Sequence, residues 1–494
     1  MGDENTILGV RHARHLLRRA GFGARKSDVD TFSGLSRGAA ADRLTSFKPA
    51  KFRPSGKDIW RRRVSWLKYM VRTKTPLQEK LVLFWHDHFA TGYDKVQNHH
   101  WMADQNRLLR TYCKGNFKDF VKAINVDPAM MEYLDTFRNF KEQPNENYAR
   151  ELMELFTLGV TDLAGQPNYE QQDIVQIARA FSGWGWDWSR NRVRFNDWAH
   201  DYMSEYGAER GPKVIFRNHG GFGPSGRDFT QPGGEGPQEI SQVVDIIFEH
   251  QDSDGKSTVA RFITKKLLEY FAHPLPAYPE NATIIDRIVQ RAAFDTTWDL
   301  RRLVREIFVD DFFYETAATA PFSATTPKSV VWPIDFVMTT LRLLRVSPRS
   351  DKWGNWYIEG GNWGNVTDYL ADMGQILFEP PSVFGWDWEE GWINSATLLA
   401  RYSFARDVAM ARGNKAQHLR PQLLMDLSLT APADIVDAVT EVLGVRDDVS
   451  SDERQALINY LGPGSLDLND PGVRQRKLHG LFALVLQMPA FHLH

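Results

Sequence analysis

The chain has 494 residues, of which 42% are hydrophobic and 25% are charged, a composition typical of a folded globular protein. Its 60 Lys and Arg residues nearly balance 62 Asp and Glu residues, so no net positive field favours binding to nucleic acid or to an anionic membrane. Cys113 is the single cysteine, which excludes an intrachain disulfide bond and a cysteine-based zinc site.

The sequence contains no apolar run close to the ~18 residues that cross a bilayer. Its first residues lack the basic and apolar regions of a secretory signal. We therefore expect a cytoplasmic protein, or a periplasmic or exported one whose leader has been removed. The length is typical of one large domain or of a few packed subdomains.

Apolar residues recur with the period of an amphipathic helix along most of the chain. The segment Thr75–Gln78 predicts a capping box with proline at the first helical position. Asn145 is predicted to cap a helix that stops at Gly159. The predicted helices cover residues 57–74, 76–90, 97–112, 169–182, 237–249, 255–271, 327–345, 394–411 and 473–487.

Strand-like alternation is confined to Arg192–Asn196 and Lys213–Arg217, which predicts at most one small β-hairpin. We therefore predict an all-α fold with long irregular loops rich in Trp and Gly. The predicted organisation is a helical half over residues 1–185, an irregular insertion or hairpin over 186–236, and a second helical half over 237–494. That second half carries a Trp-rich loop at 346–395, and loops this long are usually functional.

Two histidines lie in the predicted helix Pro76–Phe89. With residues placed every 100°, His88 falls at the centre of the apolar face, whereas His86 points roughly 160° away, beside Glu79. The two imidazoles then cannot bind one metal ion together. A helix that ended near Asp87 would leave that possibility open.

Two further helices place a carboxylate on an apolar face. In Asn145–Gly159, Glu151 projects into the apolar arc, while Arg150 and Glu154 lie in the polar wedge. Asp173 lies on the buried side of the next helix. Because a buried charge costs several kcal/mol unless it is paired, His88, Glu151 and Asp173 predict one shared polar site. A structural hydrogen-bond network, an acid/base site and a metal site all remain open.

Further histidines and the tryptophans are candidates for metal binding and substrate binding. A divalent metal ion could be held by His88, Glu151 and Asp173, with His86 or with His15, which shares a helix face with His12, as a further ligand. The 16 tryptophans are either anchors of the core and loops or a stacking surface for sugar rings. The candidate substrate-binding residues are Trp85, Trp184, Trp186, Trp386, Trp392 and Arg150.

Several motifs make the chain resemble the bacterial domain of unknown function 1800 family nearly end to end. They are HLLRRAGFG (15–23), FWHDHF (84–89), DPAMMEYLD (127–135), NENYARELMELFTLG (145–159), GQILFEPPSVFGW (374–386) and WINSATLLAR (392–401). The resemblance implies a mainly helical fold and supplies no activity. Relatives often look exported, which leaves the compartment open.

Three functions from different classes follow. The first is a hydrolase acting on a carbohydrate or other polymer, with Glu151 as the acid of raised pKa and Asp173 or Glu154 as its partner, assisted by His88. The second is a metal-dependent enzyme with His, Asp and Glu ligands. The third is a non-catalytic module that binds a glycan or a protein through its tryptophans.

Overall fold

The computed structural model describes residues 4–202, 211–230, 236–318, 329–351, 354–358, 364–412 and 417–493. Over residues 4–180 the α-helices are α1 (Gly9–Arg19), α2 (Lys26–Ser33), α3 (Arg37–Thr45), α4 (Ile59–Arg72), α5 (Pro76–His88), α6 (Tyr93–Val96), α7 (His99–Tyr112), α8 (Phe117–Ile124), α9 (Pro128–Tyr133), α10 (Asn147–Glu151) and α11 (Gln171–Ala180). The mainly helical fold predicted from the sequence is confirmed.

The second run of helices starts after residue 236. It comprises α12 (Glu239–Ile247), α13 (Thr258–Phe271), α14 (Glu280–Ala292), α15 (Phe294–Thr297), α16 (Leu300–Val309), α17 (Asp311–Ala318), α18 (Pro333–Leu343), α19 (Val366–Asp372), α20 (Ser395–Met410), α21 (Pro432–Val442), α22 (Ser451–Leu461), α23 (Pro471–Val473), α24 (His479–Gln487) and α25 (Pro489–His492). A π-helix, Arg474–Leu478, joins α23 to α24.

The described residues form three two-stranded antiparallel sheets, where the sequence predicted at most one hairpin. The largest pairs β1 (Trp184–Asp187) with β2 (Arg192–Phe195), so that Trp186 faces Val193. The others pair β3 (Val214–Ile215) with β4 (Arg227–Asp228) and β5 (Arg349–Ser350) with β6 (Trp356–Tyr357). Their two-residue strands are shorter than any alternation pattern can reveal.

The predicted irregular segments 186–236 and 346–395 include residues 203–210, 231–235, 352–353 and 359–363, which lie outside the described residues. Short 3₁₀ turns occur within their described parts, at Asp197–Ala199 and Glu389–Trp392. Within the part of the chain that the structure describes, no helix is both long and apolar enough to cross a membrane.

Helix α5 lies at the centre of the protein and is buried on every side from Leu77 to His88. Glu79 is paired inside the core: it forms an ion pair with Arg110 of α7 and accepts a hydrogen bond from Trp66 Nε1 at 2.8 Å. His86 and Glu79, which the helical wheel places opposite the apolar face, are both buried. A buried helix with paired charges looks amphipathic in sequence although it meets no water.

The predicted capping box at the start of α5 does not form. Thr75 occupies the N-cap position, but its side chain makes no capping hydrogen bond. Gln78 instead accepts a hydrogen bond from the Ala50 N–H at 3.0 Å. A tertiary contact has replaced the local one, and the N-terminus of the helix is left without a side-chain cap.

The segment Asn145–Gly159 is not one continuous α-helix. After α10 it becomes a π-helix over Leu152–Thr157, in which the Leu158 N–H donates to Met153 O at 2.9 Å. The wider turn rotates every later side chain away from its α-helical position. Glu154, on the π-helix, is half-buried, and so is Glu151, the last residue of α10. Single π-turns inside helices often mark functional sites.

Hydrogen bonds join the two predicted helical halves. The Arg19 guanidinium on α1 donates to the carbonyls of Phe271 and Tyr270, at the end of α13, at 2.6 and 2.7 Å. Arg14 forms ion pairs with Glu441 and Asp447. The first helix is thereby fixed to elements about 250 and 430 residues later in the chain.

Candidate functional site

A cavity of about 660 Å³ lies where the π-helix Leu152–Thr157, helix α13 and the loop 384–388 meet, and we call it the central cleft. One wall comes from the π-helix and the turn that follows it, up to Gly165. Its charged and aromatic lining residues include Glu154, Lys265, Lys266, Glu269, Phe262, Phe384 and Trp388. This mixture of apolar surface and a few polar groups is typical of small-molecule sites.

Lys266 presents an amine without a partner to the central cleft. Its Nζ lies 5.5 Å from the centroid of the Phe262 ring. Among the described residues no hydrogen bond or ion pair joins this amine. Burial lowers the pKa of Lys266, and the carboxylates of Asp87 and Glu269 oppose that shift. A half-buried amine with only a cation–π contact is costly to maintain, and an anionic group in the cleft would stabilise it.

Four acidic residues line the central cleft, and two of them, Glu154 and Glu269, come from the π-helix and from α13. Glu269, on α13, is half-buried, and burial raises its pKa against the opposing effect of Lys265 and Lys266. Glu154, on the π-helix, accepts a hydrogen bond from Arg150 at 3.3 Å. One carboxyl group that tends to hold its proton therefore shares a cavity with one that is paired with a cation, an arrangement suited to acid/base chemistry.

Asp87 fastens the aromatic wall of the cleft to helix α5. Its carboxylate accepts hydrogen bonds from the Trp386 N–H at 2.7 Å and from the Trp388 indole Nε1 at 3.1 Å, and we call these contacts the Asp87 latch. Burial raises the pKa of Asp87 to about 6, and Lys266 acts in the opposite direction. Gly385 completes the latch, because its φ is +88° and a Cβ there would collide with Asp87 Oδ1.

Asp87 was not among the predicted site residues, although the two histidines that flank it were. The feature that could have identified it is an acidic residue inside an apolar helix, which needs hydrogen-bond donors when it is buried. Those donors lie about 300 residues further along the chain, so no local pattern could identify them.

The side chains of the two histidines next to Asp87 each contact a main-chain group. His88 lies among aromatic rings, with Nε2 3.1 Å from Phe156 O, and burial lowers its pKa well below the ordinary value. His86 Nε2 accepts a hydrogen bond from the Phe378 N–H at 2.9 Å, and burial, followed by the charge of Arg63, lowers its pKa to about 3. The rings point to different neighbours, in agreement with the predicted divergence.

The predicted metal ligands do not converge. His15 Nε2 lies 2.8 Å from Phe313 O, and burial lowers its pKa well below the ordinary value. In the described ranges no three His, Cys, Asp or Glu side chains are grouped so that they could hold a metal ion. His15, His88 and Glu151 therefore do not form the mixed ligand set that the sequence suggested.

The three ionisable residues expected to share one polar site have separate surroundings. Asp173 completes a capping box at the start of α11, and its carboxylate accepts the N–H groups of Glu170 at 2.8 Å and Phe216 at 2.6 Å. Burial raises its pKa. Glu151 lies outside the lining of the central cleft, and burial and then Glu154 raise its pKa. Of the predicted catalytic residues, Glu154 alone lines the cleft.

The predicted stacking tryptophans are mostly internal. Trp85 donates to Cys113 O at 3.0 Å inside the core. Trp386 and Trp392 are buried, while Trp184 and Trp186 are half-buried in β1. Arg150, the predicted substrate-binding cation, lies between Glu146, Glu154 and Gln171. The aromatic residues that do line the cleft are Trp388 and Phe384, and Phe384 is 72% exposed.

Comparison with known proteins identifies the family and gives no activity. The family model described as "Protein of unknown function (DUF1800)" matches residues 15–493, so the chain belongs to the DUF1800 family. No curated protein and no solved structure matches the chain significantly.

Proposed function

We propose that this member of the DUF1800 family is a hydrolase that cleaves a carbohydrate polymer in the central cleft. One observation carries the proposal: Glu154 and Glu269 line one cavity from different elements, and Phe384 and Trp388 line the same cavity. Most glycoside hydrolases use such a pair of carboxyl groups, one of which has a raised pKa.

The two glutamates and the two aromatic residues have different roles in the proposed reaction. Glu269 holds a proton because burial raises its pKa, and it donates that proton to the leaving glycosidic oxygen. Glu154 accepts a proton from water, whose hydroxyl adds to the anomeric carbon as the C–O bond breaks. Trp388 and Phe384 stack on sugar rings at the rim.

The ammonium group of Lys266 indicates which class of carbohydrate the central cleft would prefer. Its unpaired ammonium group in the cleft favours a sugar that carries a carboxylate, such as a uronic acid. Substitution of Lys266 by Met is then expected to raise KM for an acidic polymer and to leave neutral polymers unaffected.

The test measures new reducing ends released from neutral and uronic-acid polysaccharides. The variants Glu269→Gln and Glu154→Gln are each expected to lower kcat by about a hundredfold or more, the usual contribution of a general acid or base. Glu390→Gln, at an exposed glutamate outside the cleft, is the matched control. A wild-type protein that cleaves no polymer in the panel, or a Glu269→Gln variant with an unchanged rate, would refute the proposal.

The same assay separates the alternatives. Glu151→Gln tests the acid chosen from the sequence, and it is expected to keep full activity because Glu151 lies outside the cleft lining. Activity that disappears on chelation and returns with a divalent metal would favour the metal-dependent enzyme. Tight glycan binding without product would favour the binding module.

A further inference from the structure

A second cavity, of about 700 Å³, lies at the end of the N-terminal motif. The turn Ala20–Gly23, at the end of the segment HLLRRAGFG, forms one wall, and Thr75, Pro76 and Leu77 form another. The end of α18 closes the cavity through Arg342 and Leu343. The proposed hydrolase reaction makes no use of this motif or of this cavity, which we call the basic cleft.

Positively charged side chains outnumber negatively charged ones in the lining of the basic cleft. Its lining contains a single carboxylate, from Asp28, among the described residues. Its cations are Arg25, Arg43, Arg72, Lys74 and Arg342. Within the described part of the chain none of these five forms an ion pair, in contrast to Lys256, which lines another cavity and pairs with Asp286. Unpaired like charges around one cavity repel one another and create a strong positive potential.

Arg342 is held in a fixed position at the base of this cleft. Its Nη1 donates to the carbonyls of Met70, Val71 and Thr73 at 2.9, 2.9 and 3.1 Å, at the end of α4. These bonds use one nitrogen of the guanidinium group, and in the described structure Nη2 has no hydrogen-bond partner. Burial lowers the pKa of Arg342 to about 10, and the positive charge of Arg25 acts in the same direction. A donor that is fixed, charged and unpaired is well suited to bind an anion.

The start of α5 adds partial positive charge. This helix has 13 residues and begins with Pro76, and its N-cap Thr75 makes no side-chain capping hydrogen bond. Thr75, Pro76 and Leu77 all line the cavity. Pro76 has no N–H, and the Gln78 N–H donates to Thr75 O, so the helix contributes through its dipole, which favours a phosphate or carboxylate at its start.

We propose that the basic cleft binds a small organic anion, a phosphate monoester with an apolar body. The cations and the start of α5 hold the phosphate group. The apolar lining holds the rest of the molecule, through Leu17, Phe32, Phe47 and Leu343. The cavity volume lies within the range of roughly 300–1,000 Å³ that small-molecule sites occupy.

Calorimetric titration of the full chain tests the proposal, with phenyl phosphate as the probe and phenol and inorganic phosphate as comparisons. Phenyl phosphate is expected to bind more tightly than either comparison, and to weaken as salt is added. The double variant Arg72→Gln/Lys74→Gln removes two exposed cations that have no partner, so the fold is retained. It is expected to weaken binding by about tenfold or more, since each charge-assisted hydrogen bond is worth roughly one decade in affinity.

A matched control removes two exposed cations from another surface. Arg192→Gln/Arg194→Gln lowers the net charge equally, on strand β2, and is expected to leave the affinity unchanged. Equal weakening by both double variants, or no binding of phenyl phosphate, would overturn the proposal.

Flotation with vesicles that contain phosphatidic acid identifies the source of the phosphate. Vesicle binding that the Arg72→Gln/Lys74→Gln variant loses indicates a lipid headgroup, whereas phenyl phosphate binding alone indicates a soluble metabolite. Binding of phenyl phosphate to the basic cleft does not depend on the hydrolase reaction, so Glu269→Gln is expected to bind phenyl phosphate as the wild type does. Each proposal can therefore fail while the other stands.

Discussion

Replacement of Asp87 by Asn tests the charge inside the Asp87 latch. Burial raises the pKa of this carboxyl from 3.8 to about 6, so the folded protein binds a proton more tightly than the unfolded chain does. Stability from this group is therefore fully present below pH ~4 and is lost as the pH rises through ~6. The difference in pKa corresponds to about 3 kcal/mol, at about 1.4 kcal/mol per pKa unit.

The amide that replaces the Asp87 carboxyl cannot titrate, so the variant lacks this pH-dependent term. Its oxygen can still accept the Trp386 N–H, but its NH₂ group cannot accept the Trp388 indole N–H, which costs about 1–3 kcal/mol at every pH. Between about pH 7.5 and pH 4.5 the wild type gains about 2 kcal/mol from protonation of Asp87. The stability of the wild type relative to Asp87→Asn is expected to increase by that amount over the same interval.

Urea denaturation followed by tryptophan fluorescence gives the free energy of unfolding of both proteins at each pH. Other titrating groups cancel in the difference between them. A difference that stays constant from pH 7.5 to pH 4.5 would mean that Asp87 is an ordinary carboxylate, and the reasoning about its burial would be wrong. A decrease in the stability of the wild type relative to Asp87→Asn from pH 7.5 to pH 4.5 would mean that a nearby cation stabilises the ionised carboxylate of Asp87.

Three further substitutions test interactions that hold the fold together. Glu79→Ala leaves Arg110 buried and unpaired, and urea denaturation is expected to show a loss of about 3–5 kcal/mol. Asp173→Ala removes the acceptor of two backbone N–H groups, and thermal denaturation is expected to show a loss of about 1–3 kcal/mol; an unchanged Tm would contradict its role as a cap. Gly385→Ala places a Cβ against Asp87 at a positive φ, so limited proteolysis should cut loop 384–388 faster in this variant than in the wild type.

The sequence predicted the helices well because their signals are local. The periodic stretches 76–90, 97–112, 255–271 and 394–411 correspond to α5, α7, α13 and α20 within a few residues at each end. The π-helix after Glu151 was not predicted, since a π-turn keeps the apolar composition of an α-helix and changes only the rotation of each side chain. That rotation changes the direction of the side chains that follow Glu151, including Glu154.

The candidate site was predictable only in part. Glu154 was chosen from the sequence, but its partner in the cleft, Glu269, and the unpaired Lys266 follow it by more than 100 residues. Each of these looks like an ordinary charged position on an amphipathic helix, because the cavity that exposes them exists only after α13 packs against the π-helix. His88 and Asp173 were correctly placed on buried faces. Each of them is bonded to a main-chain group, which satisfies its buried polar atom without a shared site.

The Asp87 latch joins residues that lie 299 positions apart in the chain. A ribosome that adds about 5–20 residues per second needs roughly 15–60 s to make the segment between them. During that time helix α5, which the finished protein buries on every side, has no permanent cover for its apolar surface. We therefore expect low temperature or added chaperones to raise the yield of native protein, because both limit aggregation of the newly made chain.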